Sequence, residues 1–130
     1  MRQKEGRATY VYLKNRLEAL KADLGIINSR FKKIVPHKLA KIASDEERAS
    51  FLKVADISEE LERLAFHIKN FWHKLSQLGP LGKELDFIAQ EMQREANTVG
   101  AKSFDKIVSA KVVQLKSQIE KIREQVQNIE

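Results

Sequence analysis

The chain has 130 residues, a formal net charge of +6 and no cysteine, which is enough length for one domain with a buried core. The lack of cysteine excludes disulfides, thiolate metal sites and cysteine nucleophiles. No apolar run approaches the ~20 residues of a membrane span, and Met1 is followed by charged and polar residues rather than by a signal peptide. We therefore expect a cytoplasmic protein with no membrane segment.

The positive charge is concentrated in the first third of the chain. Residues 1–43 hold eleven Lys and Arg and three acids, a net charge of +8, whereas the 13 basic and 15 acidic residues that follow give −2. A basic arm joined to a nearly neutral body suits a polyanionic partner such as RNA. Many basic helical proteins bind no nucleic acid, so this feature alone does not establish an RNA partner.

The first predicted helix carries a long apolar seam. Its apolar residues alternate at spacings of three and four over about four heptads: Tyr10, Leu13, Leu17, Leu20, Leu24, Ile27, Phe31 and Ile34. Pro36 should end or kink this helix, leaving a short segment to about Ala43. Ser44 with Glu47 is a capping-box pattern that predicts a short helix through Lys53.

Three more helices follow. Asp56 with Glu59 predicts the start of one whose seam is Leu61, Leu64, Ile68, Phe71, Leu75 and Leu78. Gly79-Pro80 should end it, and the next helix should run from about Leu81 to Val99 and stop at Gly100. Ser103 is expected to cap the last helix, whose seam is Phe104, Val108, Val112, Leu115, Ile119, Ile122, Val126 and Ile129.

These helices predict an all-α fold with a single domain over residues 1–130. Long seams buried on each other favour an elongated antiparallel helical bundle with long coiled-coil-like helices. A helix of about 28 residues spans roughly 42 Å, more than any helix predicted between residues 44 and 99 can cover. We therefore expect part of the long seams to pair with another copy. Phe66 and Phe87 lie away from their apolar stripes, so we expect them to mark the subunit interface of a homo-oligomer.

The helix over residues 85–99 has an unusual polar face. Its apolar stripe is Leu85, Ile88, Ala89, Met92, Ala96 and Val99. Most of the remaining surface carries carboxylates, amides and one guanidinium: Asp86, Gln90, Glu91, Arg94, Glu95 and Asn97. Such directional groups suit a metal, a nucleic acid or a polar layer buried between packed helices. The residue types alone favour the polar layer.

Two carboxylates on this helix could bind a cation. Glu91 and Glu95 lie one turn apart, so their side chains can converge on one divalent ion, with Asp86 and Gln90 on the adjacent face. Hard oxygen ligands suit Mg²⁺ or Mn²⁺. Carboxylates at this spacing are also common on helices that bind no metal.

A second polar face lies on the preceding helix. Glu60, Arg63 and His67 share one side of it, beside the apolar seam. His67 could act as a general base or contact a phosphate, and the alternative is a bundle-edge histidine held by a carboxylate. Glu59 and Arg63 form an i, i+4 pair that can simply stabilise the helix. The sequence has no phosphate-binding glycine loop, zinc motif, nucleophile elbow or DNA-recognition motif.

Three segments carry a family resemblance: LDFIAQEMQREANTVGAKS (85–103), DISEELERLAFHI (56–68) and IEKIREQVQNIE (119–130). Together they resemble the carboxyl-terminal half of the bacterial YicC family, and MRQKEG resembles the segment with which that half begins. The resemblance covers nearly the whole chain and implies that the family's amino-terminal domain is absent. Family members are described as metal-dependent endoribonucleases that cut single-stranded RNA and form oligomers enclosing it.

The resemblance implies a cation site and a proton-transfer site. Glu91 and Glu95, with Asp86 or Glu60, would hold the divalent cation, which would activate water and stabilise charge on the scissile phosphate. His67 would transfer or position a proton. The catalytic candidates are therefore His67, Glu91 and Glu95.

The resemblance also implies an RNA-binding set. Arg63, Arg94 and Lys102 would hold phosphate oxygens, and Gln90 and Asn97 would orient ligands or contact sugar and base edges. The expected function is that of the carboxyl-terminal domain of a metal-dependent endoribonuclease, a hydrolase of RNA phosphodiester bonds. The alternative is a helical oligomerisation or RNA-binding module without catalysis.

Overall fold

The computed structural model describes residues 3–77 and 82–128, and within those ranges it contains five α-helices and no strand. The helices are α1 (Gln3–Leu39), α2 (Asp45–Ala55), α3 (Ser58–Leu75), α4 (Gly82–Lys102) and α5 (Lys106–Val126). The predicted all-α class is therefore confirmed. None of the described helices is long and apolar enough to cross a bilayer.

Four of the helices form a closed ring in the order α1, α3, α4, α5, in which each helix packs on its two neighbours. Neighbours run antiparallel. Arg30 near the end of α1 binds Asp105 just before α5, whereas Arg16 near the start of α1 donates to Gln118 late in α5. Lys102 at the end of α4 reaches Glu60 at the start of α3. The predicted antiparallel bundle is confirmed.

The core consists of the predicted seams. All six apolar-stripe residues of α4 are buried, as are the seam residues of α5 from Val108 to Val126 and those of α3 from Leu61 to Phe71. Burial of these side chains supplies the main driving force for the fold. Leu78 and Ile129 lie outside the described residues, as do Gly79-Pro80 and Leu81.

One chain buries most of the long seam of α1. Its residues from Leu13 to Ile34 are in the core, except for Phe31, which packs partly buried against it. These residues therefore need no second copy to be buried, and the expected pairing of part of the long seams with another copy stays a prediction. The carboxyl-terminal end of α1 extends beyond α3. There the seam is covered by the segments that connect the helices, through Ile57 and Phe104.

Several helix ends differ from the local sequence rules. Pro36 lies inside α1, which continues to Leu39. The helical hydrogen bonding resumes past the proline, since its carbonyl accepts from the amide of Ala40 at 3.0 Å. Ser44 caps α2 as predicted, accepting from the amide of Glu47 at 3.0 Å.

The junction between α4 and α5 corrects two predictions. The helix does not stop at Gly100 but continues to Lys102. A Cβ at Gly100 would lie 3.2 Å from Cγ1 of Val112, so the glycine lets α4 and α5 approach closely. The cap of α5 is Asp105, which accepts from the amide of Val108 at 3.1 Å, and not Ser103. Ser103 instead accepts from the amide of Asp105.

Candidate functional site

A network of charged side chains lies along the seam between α3 and α4. Glu60 and Glu95 are 5% and 8% exposed and are the buried charged residues of the described chain. Arg63 donates from Nε to Oε1 of Glu95 at 3.0 Å and also lies 3.4 Å from Glu59 and 3.8 Å from Glu60. The hydrogen bond to Glu95 raises the pKa of the Arg63 guanidinium above its usual value. Arg63 therefore stays charged and holds the buried carboxylates.

Lys102 completes this network at the end of α4. Its Nζ lies 2.9 Å from Oε1 of Glu60 and donates to the carbonyl of Asp56 at 3.1 Å. The Asp56 side chain accepts from the amide of Ser58, and its hydrogen bonds to Ser58 lower the pKa of the Asp56 carboxyl. One lysine thus joins the end of α4 to the segment that begins α3.

A groove of about 620 Å³ opens between α3 and α4, farther along the same seam. We call it the aromatic groove and define it by Phe66, His67, Phe87 and Glu91, all of which line it. The rings of Phe66 and His67 meet edge to face with centroids 5.6 Å apart. Phe66 and Phe87 are 63% and 64% exposed, so their predicted exposure is confirmed. Their role in a subunit interface stays a prediction.

The structure brings six of the predicted site residues to the α3–α4 seam. They are Glu60, Arg63, His67, Glu91, Glu95 and Lys102. His67 and Glu91 share the aromatic groove, whereas Glu95 lies one helical turn beyond Glu91 and pairs with Arg63. The seam therefore places two partly exposed groups, an imidazole and a carboxylate, beside a buried ion network.

The other predicted residues lie elsewhere on α4. Asp86 faces α5, where it accepts from Nε of Arg123 at 3.2 Å, and it also accepts from Gln90 at 2.8 Å. Asn97 follows Gln90 by seven residues on the same exposed stripe. Arg94 is exposed and lies 3.6 Å from Glu91. No local sequence pattern indicates a role for Arg123, because its partner lies on another helix.

The described carboxylates do not form a metal cage within one chain. Among the described residues, no three His, Cys, Asp or Glu side chains lie close enough together to hold a metal ion. Each predicted metal ligand has a basic partner instead: Lys102 for Glu60, Arg123 for Asp86, Arg94 for Glu91 and Arg63 for Glu95. The described residues of one chain therefore supply no complete set of cation ligands, and the divalent cation stays a prediction.

The comparison with protein families decides the relationship. Residues 8–130 match the family described as "Endoribonuclease YicC-like, C-terminal". The chain belongs to this family. The resemblance seen in the sequence is thereby confirmed over almost the whole chain.

Two curated relatives carry the name "Probable endoribonuclease YicC". The chain is 29% identical to the one from Haemophilus influenzae over 144 aligned residues, which cover 100% of this chain and 50% of the relative. It is 42% identical over 85 residues to the one from Clostridioides difficile, covering 65% of this chain and 29% of that protein. This YicC-like chain thus spans about half or less of the curated relatives that it matches.

Proposed function

We propose that this YicC-like chain is the site-bearing carboxyl-terminal part of an endoribonuclease that acts on single-stranded RNA in the cytoplasm. The observation that carries the proposal is the joint placement of His67 and Glu91 in the aromatic groove, next to the buried pair of Arg63 and Glu95. The names of both curated relatives support a ribonuclease activity.

The groove offers two groups for acid–base chemistry on a phosphodiester. Cleavage needs one group to take a proton from the attacking oxygen and another to protonate the leaving oxygen. His67 and Glu91 are partly exposed and line one groove, so both can reach a bound strand. Arg63 and Lys102 pair with buried carboxylates, and their expected contacts with phosphate stay a prediction. In this proposal they position the seam.

A divalent cation, Mg²⁺ or Mn²⁺, is a separate part of the proposal. Glu91 and Glu95 can supply at most two carboxylates from one flank of α4. Further oxygen ligands would come from RNA phosphates, from water or from another chain. The single chain alone is therefore expected to bind the ion weakly.

Cleavage of a labelled single-stranded RNA tests the activity. The chain is assayed with Mn²⁺, with Mg²⁺ and with EDTA, and His67→Ala and Glu91→Gln are compared with Glu120→Gln, an exposed carboxylate on α5. Removal of a proton-transfer group should slow cleavage by about 100-fold or more, while Glu120→Gln should cut like the unaltered chain. Equal cleavage by all variants would refute the roles of His67 and Glu91 in proton transfer. Equal cleavage rates with EDTA and with a divalent cation would refute the metal dependence.

The aromatic groove also favours a second candidate function, assembly with another copy. Phe66 and Phe87 are large, exposed and lie at one groove, whereas isolated apolar residues elsewhere on the surface need no partner. The groove includes Glu91, so a second copy seated there could add ligands to the incomplete cation site. The chain would then act as an oligomerisation module, with or without catalysis.

Sedimentation separates this candidate from a monomeric domain. The unaltered chain should sediment as an assembly at micromolar concentration, and Phe66→Ser with Phe87→Ser should dissociate it. Val113→Ser is the matched control, because Val113 is 68% exposed on α5, away from the groove. A clean monomer of the unaltered chain, or equal dissociation by the control, would reject the interface.

A further inference from the structure

A second groove runs along the other side of α3, where this helix faces α1. Two adjoining cavities of about 440 and 530 Å³ share the residues Lys21, Leu24 and Ala65, so they form one continuous groove. Leu17 and Ile68 lie on its apolar floor. Because α1 and α3 are antiparallel neighbours, the groove follows the length of α3.

Lysine side chains lie along the edges of this groove. We call it the lysine groove and define it by Lys14, Lys21 and Lys32 of α1 and Lys69 of α3. At 1.5 Å per residue, Lys14 and Lys32 lie about 27 Å apart along α1. Both are exposed, as are the other two. The groove thus presents a line of positive charges rather than a single cluster.

These lysines differ from three basic residues at the α3–α4 seam. Arg63, Lys74 and Lys102 each pair with a carboxylate. Within the described part of the chain, none of the four groove lysines makes an ion pair, although Glu18 and Glu62 also line the groove. Of the described basic residues that line the two grooves beside α3, four without an ion pair lie on the α1 side and one, Lys83, lies on the α4 side.

We infer that the lysine groove binds the phosphate backbone of single-stranded RNA. This inference rests on the proposed function, since it takes the RNA strand as the substrate. Exposed lysines bind phosphates by releasing counterions, and a line of them suits an extended polyanion. Trp72 lies at one end of the groove, where Lys14 sits 5.9 Å from its ring centroid, and its partly exposed face can stack on a base.

The placement separates holding the strand from cutting it. The lysine groove and the aromatic groove lie on opposite flanks of α3. A strand held in the first has to pass over the outer face of α3 to reach His67. Loss of the groove lysines should therefore weaken binding and leave cleavage of saturating RNA nearly unchanged.

Fluorescence anisotropy with a short labelled oligouridine tests the inference. The triple variant Lys14→Gln, Lys21→Gln and Lys69→Gln is compared with a control that removes the same charge from exposed positions away from the groove. The control substitutions are Lys33→Gln, Lys106→Gln and Lys121→Gln. Binding is measured in EDTA at about 50 to 200 mM KCl, over which the salt dependence of phosphate contacts is pronounced.

The groove variant should bind at least about tenfold more weakly than the control, with a salt slope smaller by about 2, because each single-strand phosphate contact contributes about 0.7. Equal losses in both triples would overturn the inference in favour of diffuse attraction. Undiminished RNA binding by a folded groove variant would also overturn the inference, and an acidic protein segment would then be the better candidate ligand of the lysine groove. No RNA binding by the unaltered chain would refute the RNA-holding role of both grooves. Binding without cleavage would refute only the catalytic proposal.

Discussion

Replacing Lys102 with methionine distinguishes a structural lysine from an RNA-binding one. Methionine keeps most of the apolar stem but removes the ammonium, which lies 2.9 Å from the buried carboxylate of Glu60. Loss of a charged hydrogen bond to a buried acceptor costs about 1.5–3 kcal/mol. The 3–5 kcal/mol typical of a fully buried pair is an upper bound, because Arg63 still lies 3.8 Å from the same oxygen. We expect a loss of about 2 kcal/mol.

Urea unfolding followed by circular dichroism measures this loss. The double variant Lys102→Met with Glu60→Met should be more stable than Lys102→Met alone, because no buried charge is left without its partner. Lys106→Met is the control and should change the free energy of unfolding by less than about 0.5 kcal/mol, since Lys106 is exposed. A loss at Lys102 no larger than this control would refute the reasoning and return Lys102 to the RNA-binding set. If the double variant loses as much unfolding free energy as Lys102→Met and Glu60→Met lose together when made singly, the pairing is refuted.

Two further predictions concern the junction of α4 and α5. Gly100→Ala should destabilise the protein by about 1 kcal/mol despite the better helix propensity of alanine, because the new Cβ would lie 3.2 Å from Val112. In a Val112→Ala background, the same change should become stabilising, and thermal unfolding measures both effects. Asp105→Ala should cost about 2 kcal/mol through the lost cap and the lost pair with Arg30, whereas Asp105→Asn keeps the cap and should cost less. The hydrogen bond from Arg30 lowers the pKa of the Asp105 carboxyl, so its contribution to stability is complete above the usual aspartate pKa of about 3.9 and is lost as pH falls through the lower folded value. As pH is lowered, the urea midpoint of Asp105→Asn should fall less steeply than that of the unaltered protein. Identical pH slopes, or an Asp105→Asn variant as unstable as Asp105→Ala, would contradict the roles assigned to the Asp105 carboxylate.

The apolar seams could be predicted from the sequence because their spacing defines a stripe whatever the stripe packs against. Leu13, Leu64, Met92 and Ile119 are fully buried in the core, as their positions in the seams require. Helix ends were less predictable. Glycine is a common helix terminator, but Gly100 serves interhelical packing instead, and only the neighbouring helix reveals this.

The candidate site was predictable in composition and only partly in arrangement. The sequence placed Glu60, Arg63 and His67 on one face of α3, since that follows from helical spacing alone. It could not predict that Arg63 would pair with Glu95 of α4, or that Asp86 would turn to Arg123 of α5. Such pairs depend on the register between helices, which the packed core sets and no local pattern encodes.

The antiparallel pairing of α1 with α5 puts the start of α1 and the end of α5 at the same end of the bundle. Arg16 contacts Gln118 and Arg30 contacts Asp105, so α1 begins where α5 finishes. A label or fused domain that follows α5 or precedes α1 is therefore attached at the end of the bundle that carries the tilted ring pair of Tyr10 and Trp72, away from Lys102. The same geometry permits a circular permutant in which a short linker joins the termini. New ends in the exposed turn before Ser44 would leave all four pairs of packed helices intact.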